Sequence, residues 1–350
     1  MEFAAGSYLL RNGMPVLFDV CNGDADGLCS VLQWRLDQPA AATLVTGLKR
    51  EIELLRLVPD HADQVLVCDL SMKRNHDALV RLLEKGVRVR YFDHHSAGVV
   101  PEHVNLEAHL DFSSKVCTSV LMDRHLGGRQ RAWAAVGAYG DGMLATAEGL
   151  CAAAGIEGEQ QAELRRLGEA INYNAYGEDE ADVCIHPARL FRIMARYADP
   201  LSLIVREPVV AAMGNRRSED LAKAMALPPH WQSATGRLTL LPDAPWSRRA
   251  IGCLANELSG AYPDQAQAVL LRRRSGDLSV SVRAPRSSPT GASQLCEAFG
   301  GGGRAAAAGI DALPAGAFAR FAAAFSQADW GASPPAADPG SLDMQGRQPC

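Results

Sequence analysis

No stretch of the 350-residue sequence approaches the roughly 18 uninterrupted apolar residues that a membrane-spanning helix needs, so no insertion into a bilayer is expected. Positive charge is not in excess either: 35 Lys and Arg stand against 40 Asp and Glu, a formal net charge of −5. Nonspecific grip on long nucleic acid requires clustered cations that displace counterions from many phosphates, so a broad phosphate-tracking surface and a long duplex partner are not expected. A short or small anionic substrate is not excluded. The nine cysteines form no C-x-x-C pair, and the opening residues MEFAAGSYLLRNGM lack the long apolar core of a secretory signal. A reducing cytoplasm is therefore the expected location. Nor does the chain repeat itself at a period of 20 to 50 residues.

What is present is ordinary globular composition, 47% hydrophobic and 21% charged, over a length that suits two domains. Met14 to Val20 reads as a short apolar strand, followed by a carboxylate-rich turn and by helical spacing of apolar residues from Leu28 to Leu36. QVLVCDL (64–70) and VRVRYFD (87–93) repeat a β-branched run that ends in Asp, with the helix-like DALVRLLEKG (77–86) between them. Such alternation predicts a parallel sheet covered by helices, with the polar strand-end residues at the carboxyl edge where open α/β sheets bind ligands. The fold class expected is α/β: a parallel-sheet domain with flanking helices and a helical connection over 14–200, an inter-domain linker punctuated by Gly, Pro and charge over 201–235, and a smaller α/β domain over 236–328. In the latter, 266–285 reads as two strands joined around Ser275-Gly276-Asp277. Residues 331–350, rich in Pro, Gly, Ser and Asp, are expected to be a disordered tail.

The stretch FDVCNGDADGLCS (18–30) carries the first chemistry. Asn22, Asp24, Asp26 and Gly27 match the start of a calcium EF-hand loop, but the last ligand position would be Gln33, which offers no bidentate carboxylate, and VLFDV favours a strand over the helix that an EF-hand needs. Caps or turns account for two aspartates beside a glycine equally well. The other strand ends alter the balance. Asp69, Asp93-His94-His95 and Asp141 complete an oxygen-rich set with one or two imidazoles, which suits manganese, iron or cobalt and the two-ion chemistry of phosphoryl transfer.

DADG (24–27), CDLS (68–71), FDHHSAG (92–98) and GAYGD (137–141) together resemble the DHH phosphoesterase superfamily in order and spacing. SVRAP (281–285) and FGGGGRAAAAGI (299–310) resemble its substrate-binding DHHA1 domain, so the likeness covers nearly the whole chain. The resemblance implies one metal site built from Asp26, Asp69, His94 and Asp141. It also implies a second ion shared by Asp69 and served by Asp24, with His95 meeting the substrate phosphate; Asp69 and His95 would be the catalytic pair. The ions implied are Mn²⁺, one or two, with Mg²⁺ or Co²⁺ as alternatives. Two departures stand out. Val20 occupies the place of a second-site His, with Asn22 where exonuclease members carry a further Asp; Asp19 could substitute only if the strand ended early. Arg304 stands where most DHHA1 glycine motifs have His, although its guanidinium suits phosphate.

The glycine run reads as an anion cradle, Gly301, Gly302 and Gly303 offering backbone N–H groups at the start of an Ala-rich helix, in preference to a flexible linker. Arg283 and Arg304 join it as substrate-binding candidates, and Arg272 to Arg274 read as a solvated run. Tyr173 and Tyr176 fit base stacking or, more simply, packing at a domain junction. His125 and five other histidines show no ligand spacing with one another. The expected function is a divalent-metal phosphoesterase acting on a small phosphorylated nucleotide or short oligonucleotide in a cleft between domains. A pyrophosphatase and a non-catalytic nucleotide sensor are the alternatives, and a homodimer is left open.

Overall fold

Runs of four or five apolar residues between helical segments can bury both faces only as interior strands of a parallel sheet, and the first half of the chain builds one. The structure, a computed structural model, describes residues 15–113, 115–328 and 330, and the chain divides into two compact units between Glu219 and Asp220. The tail proposed for 331–350, and Met14 at the start of the expected first strand, lie outside the described residues.

In the first unit the chain runs β1 (Leu17–Cys21), α1 (Ala25–Asp37), β2 (Ala42–Thr46), β3 (Gln64–Cys68), α2 (Met72–Glu84), β4 (Arg88–Asp93) and β5 (Leu106–Leu110). It continues through α3 (Thr118–His125), α4 (Arg131–Gly140), α5 (Leu144–Ala153), α6 (Gly158–Ala175), α7 (Pro187–Met194), α8 (Pro200–Arg206) and the part of α9 (Pro208–Met225) up to Glu219. The five strands pair in parallel in the order β2-β1-β3-β4-β5. Side chains alternate across the sheet as a period of two requires. Leu66, Cys68 and Phe92 join the core under α1, α3, α4 and α6, while Val65, Val67, Val89 and Tyr91 join the opposite core under α2. Because β2 lies on one side of β1 and β3 on the other, the chain reverses direction across the sheet between β1 and β3. Crevices of this kind at the carboxyl edge are where such sheets place ligands.

Asp19 lies inside β1 and pairs with Arg35 at 2.6 Å, so the strand does not end early enough to free it as a ligand. The 201–235 segment is also largely helical: Pro200 and Pro208 open α8 and α9, where a missing N–H costs nothing.

The second unit runs β6 (Trp231–Gln232), β7 (Gly236–Leu241), α10 (Pro245–Ala261), β8 (Ala266–Arg272), β9 (Leu278–Arg283), α11 (Ala292–Glu297), β10 (Gly302–Arg304), β11 (Ala307–Leu313) and α12 (Phe318–Gln327). Its sheet order is β10-β11-β9-β8-β7-β6, parallel only between β7 and β8, over a core that includes Leu270, Val280, Ile310, Phe321 and Phe325. The Ala-rich segment after the glycines is a strand, not a helix. Alanine's helix propensity is overridden by alternation: Ala308 and Ile310 enter the core while β11 pairs along β9.

Candidate metal centre

Three neighbouring strands, β1, β3 and β4, end in Asp24 and Asp26, in Asp69, and in His94 and His95, and parallel pairing in register brings these tips to one edge. Asp69 follows β3 with φ of 57°, the single positive value among described non-glycine residues. That backbone costs about 1–2 kcal/mol in most residues and less in Asp or Asn. Its amide still donates to the Phe92 carbonyl at 3.0 Å, which fastens the tip of β3 to β4.

Asp26, in the first turn of α1, accepts from the backbone N–H groups of Thr118 and Ser119, both at 2.8 Å. A helix N-terminus presents such unpaired donors, so α3 anchors this carboxylate across 92 residues of sequence. His94 Nε2 lies 3.4 Å from Asp69 Oδ1 and 3.9 Å from Asp26 Oδ2, while its Nδ1 lies 3.1 Å from the Val116 carbonyl. A carbonyl can only accept, so Nδ1 carries a proton and Nε2 is the atom presented to the acids, the arrangement by which ligating histidines are oriented. His95 Nδ1 lies 2.8 Å from Asp93 Oδ1 and 3.7 Å from Asp69 Oδ1, and its side chain stays 48% exposed, the single member of the group open to an incoming ligand. Asp69, His94 and His95 offer ligand atoms that all lie within 4.8 Å of one another. Asp141 caps the end of α4, with its Oδ2 buried and without a hydrogen-bond partner.

The electrostatics show an excess of negative charge. Burial, then the charges of Asp24 and Asp26, hold the Asp69 carboxyl well above the usual range. Burial and Asp26 raise Asp141 in the same direction. Burial alone would pull the His94 imidazole down, but Asp69, Asp26 and Asp141 push it up to about 10. Carboxylates crowded in this way disfavour joint ionisation unless a cation joins them. The unpartnered Asp141 oxygen and the mixed oxygen and imidazole donors therefore fit a hard or borderline divalent ion.

Asp24 is placed differently from its neighbours. It is the N-cap of α1, accepting from Gly27 N–H at 3.0 Å through Oδ1, while Oδ2 pairs with the Lys49 ammonium. The cap reading of this aspartate thus holds beside any role in catalysis. Lys49, Thr118, Ser119 and the Val116 carbonyl were not found from sequence; of these, only the helix start at Thr118 left a local trace.

Gly137 of α4 permits the close approach of α3. A Cβ there would lie 2.3 Å from Ser119 Oγ and 3.4 Å from Asp26 Oδ1. Gly137→Ala is expected to cost about 1–3 kcal/mol by overpacking and to weaken Mn²⁺ binding by displacing Asp26, as read from denaturant melts and calorimetric titration.

In the second unit, Arg304 pairs with Ala307 and Ala307 with Arg283, so the two arginines share one face of the sheet two strands apart, about 10 Å. Arg283 bonds Asn256 Oδ1 at 2.8 Å and Ser281 Oγ at 3.1 Å. The helix-start cradle expected at Gly301 to Gly303 is not formed. Gly300 and Gly301 donate to Glu297 and Cys296 and close the C-terminus of α11, after which Gly302 and Gly303 enter β10. The physical cause is the pairing of β10 with β11, which no local propensity announces.

Tertiary structure also brings together Glu107, His109 and His125, a grouping invisible in sequence. Their surroundings account for them without an ion. Arg90 already neutralises Glu107 at 2.6 Å, and His109 stacks on Phe92 at a centroid distance of 4.4 Å. A separate cavity at the opposite, amino-terminal edge of the sheet, lined by Leu17, Gln64, Arg88 and Leu106 among others, contains none of the strand-tip acids. Among the described residues no helix is long and apolar enough to cross a membrane.

No protein-family model and no curated protein matches the sequence. Solved structures do resemble it. A DHH-domain member of the s1p family of ribosomal proteins superposes with a TM-score of 0.65 at 14% identity, over 89% of this chain and 86% of that one. Exonuclease RecJ bound to manganese gives 0.57 at 19% identity, over 88% of each chain. The pGpG-specific phosphodiesterase PggH from Vibrio cholrae gives 0.50 at 16% identity, over 89% of this chain and 98% of that one. With its parallel five-stranded sheet, its strand-tip acids and its second mixed sheet, the chain has the α/β fold of the DHH-domain proteins.

Proposed function

We propose that this protein is a divalent-metal-dependent phosphoesterase whose substrate is a small phosphorylated nucleotide or short oligonucleotide. The observation that carries the reading is the convergence of Asp26, Asp69 and His94 at one sheet edge, with Asp141 contributing to the same electrostatic cluster through a buried oxygen that has no partner. Asp26, Asp69, His94 and Asp141 would hold the ion. When bound, it would supply Lewis acidity and positive charge at the attacked phosphorus. Asp26 stays fixed by the α3 amides, and His94 by Val116, so the donors need little rearrangement to receive a cation. His95, oriented by Asp93 and half open to solvent, would donate to a phosphate oxygen.

The substrate class rests on two supports. RecJ is an exonuclease and PggH a pGpG-specific phosphodiesterase, so two neighbours of the same fold act on phosphodiesters of nucleotides. The net charge of −5 favours a small ligand over a long strand, and Arg283 and Arg304 of the second unit offer guanidinium groups suited to phosphate. Mn²⁺ is the ion proposed, with Mg²⁺ or Co²⁺ as substitutes, and the location proposed is cytoplasmic. The test is a chromatographic screen of linear and cyclic dinucleotides, short RNAs, mononucleotides and pyrophosphate, each with Mn²⁺ and with EDTA. Hydrolysis of a nucleotide phosphoester that EDTA abolishes is the expected result. Turnover of pyrophosphate alone, or of nothing in the panel, overturns the reading.

A further inference from the structure

Asp24, which lies within hydrogen-bonding reach of Asp69, is the acid that would serve a second ion, and three features of its surroundings weigh against that role. Val20, at the position of the absent imidazole, is a fully buried strand residue in the core beneath α2 and offers no ligand atom. Asn22, at the position of an absent carboxylate, is spent on the backbone: its Oδ1 accepts from Asp24 N–H at 3.2 Å and its Nδ2 donates to the Lys49 carbonyl at 3.2 Å. Asp24 itself has one oxygen on the Gly27 amide and the other on the Lys49 ammonium.

Lys49 is not a loose surface side chain that happens to touch an acid. Its backbone is pinned on both sides, the N–H to the Ala175 carbonyl at 3.0 Å and the C=O to Asn22. Its side chain is 25% exposed, and Nζ lies 3.5 Å from Asn172 Oδ1 and 5.7 Å from the centre of the Tyr176 ring. The ammonium is therefore held by an acid, an amide oxygen and an aromatic face. Ammonium is a compact point charge, as a small divalent ion is, but it brings its own tether and cannot leave.

We infer that Lys49 takes the place of the second divalent ion, so that this chain binds one metal ion and uses its own ammonium on the Asp24 side of the site. The inference rests on the metal reading above and refines it: one ion sits among Asp26, Asp69, His94 and Asp141, and Lys49 supplies a positive charge whose occupancy does not vary with metal concentration.

Metal stoichiometry tests this without any assay of turnover. Full-length protein is freed of metal, titrated with Mn²⁺ by calorimetry, and examined by electron paramagnetic resonance. Wild type is expected to bind one Mn²⁺ per chain and to show the six-line spectrum of an isolated ion. The Lys49→Gln/Asn22→Asp variant, which removes the ammonium and restores a carboxylate, is expected to bind two, with the spectrum of a coupled pair. Two ions in wild type overturn the inference while leaving the phosphoesterase reading intact. One ion still in a variant that retains the wild-type circular dichroism overturns it as well. No ion in wild type overturns the metal reading and the inference with it. If the double variant fails to fold, Lys49→Gln alone is titrated in the same way: a second ion supports the substitution by Lys49, and a single ion overturns it.

Discussion

Asp69→Asn is expected to lower metal-dependent hydrolysis by about 10³-fold or more, equivalent to roughly 4 kcal/mol of transition-state stabilisation, while the metal-free protein becomes more stable. Both effects follow from one environment. Asp69 lies 3.4 Å from His94 and 3.7 Å from His95, so removing its charge would weaken the hold on an ion at the proposed site. In the absence of an ion, burial, and then the charges of Asp24 and Asp26, hold its pKa well above the usual value. A carboxyl in that condition is disfavoured when ionised, so a neutral isostere relieves the folded state. The gain expected is about 1 kcal/mol, typical of relaxing a strained functional site, which corresponds to roughly 2–4 °C in Tm. Asparagine is the appropriate replacement because it tolerates the left-handed backbone at φ 57° better than alanine. Calorimetric melts with EDTA and with Mn²⁺ check both signs: the variant should melt higher than wild type without metal and should lose the stabilisation that Mn²⁺ confers on wild type. Undiminished turnover, or a lower melting temperature in EDTA, would contradict this account of the site.

Asp26→Ala should be the most destabilising single change among the strand-tip acids. Its two oxygens satisfy two backbone donors at the start of α3, both buried, so alanine leaves both N–H groups without a partner in the interior. Each buried donor left unpaired costs about 1–3 kcal/mol, so the two together are expected to cost about 2–6 kcal/mol. Asp26→Asn keeps one acceptor oxygen and should lose about half as much stability, yet still bind Mn²⁺ poorly because the carboxylate charge is gone. Chemical denaturation of the two variants beside calorimetric Mn²⁺ titration separates the structural part of Asp26 from its metal-binding part. An alanine variant that unfolds at the wild-type denaturant concentration would show that α3 does not depend on this carboxylate.

Much of the carboxyl edge was legible because parallel strands advertise themselves. QVLVC carries four apolar residues in a row and VRVRYF interleaves two arginines with the buried Val89, Tyr91 and Phe92, and the polar residues that follow each must emerge at the same end of the sheet. Strand ends therefore predicted that Asp26, Asp69 and His94 would meet. The same logic failed for FGGGGRAAAAGI, where alanine and glycine carry weak or contrary preferences. There the strand exists because β9 offers an open edge and the core accepts Ala308 and Ile310. His125 reads as an isolated histidine in sequence, and only the placement of α3 beside β5 brings it to a ring distance of 4.7 Å from His109.

By itself, then, the sequence determined the alternating α/β order and the strand tips that carry acids and imidazoles, since each is written in contiguous residues with a fixed period. Tertiary structure alone decided that α3 anchors Asp26, that Val116 orients His94, and that Lys49 reaches Asp24. These contacts join residues 22 to 92 positions apart, and their energies depend on burial, on distance and on which lone pairs are already taken, none of which has a local signature in the chain.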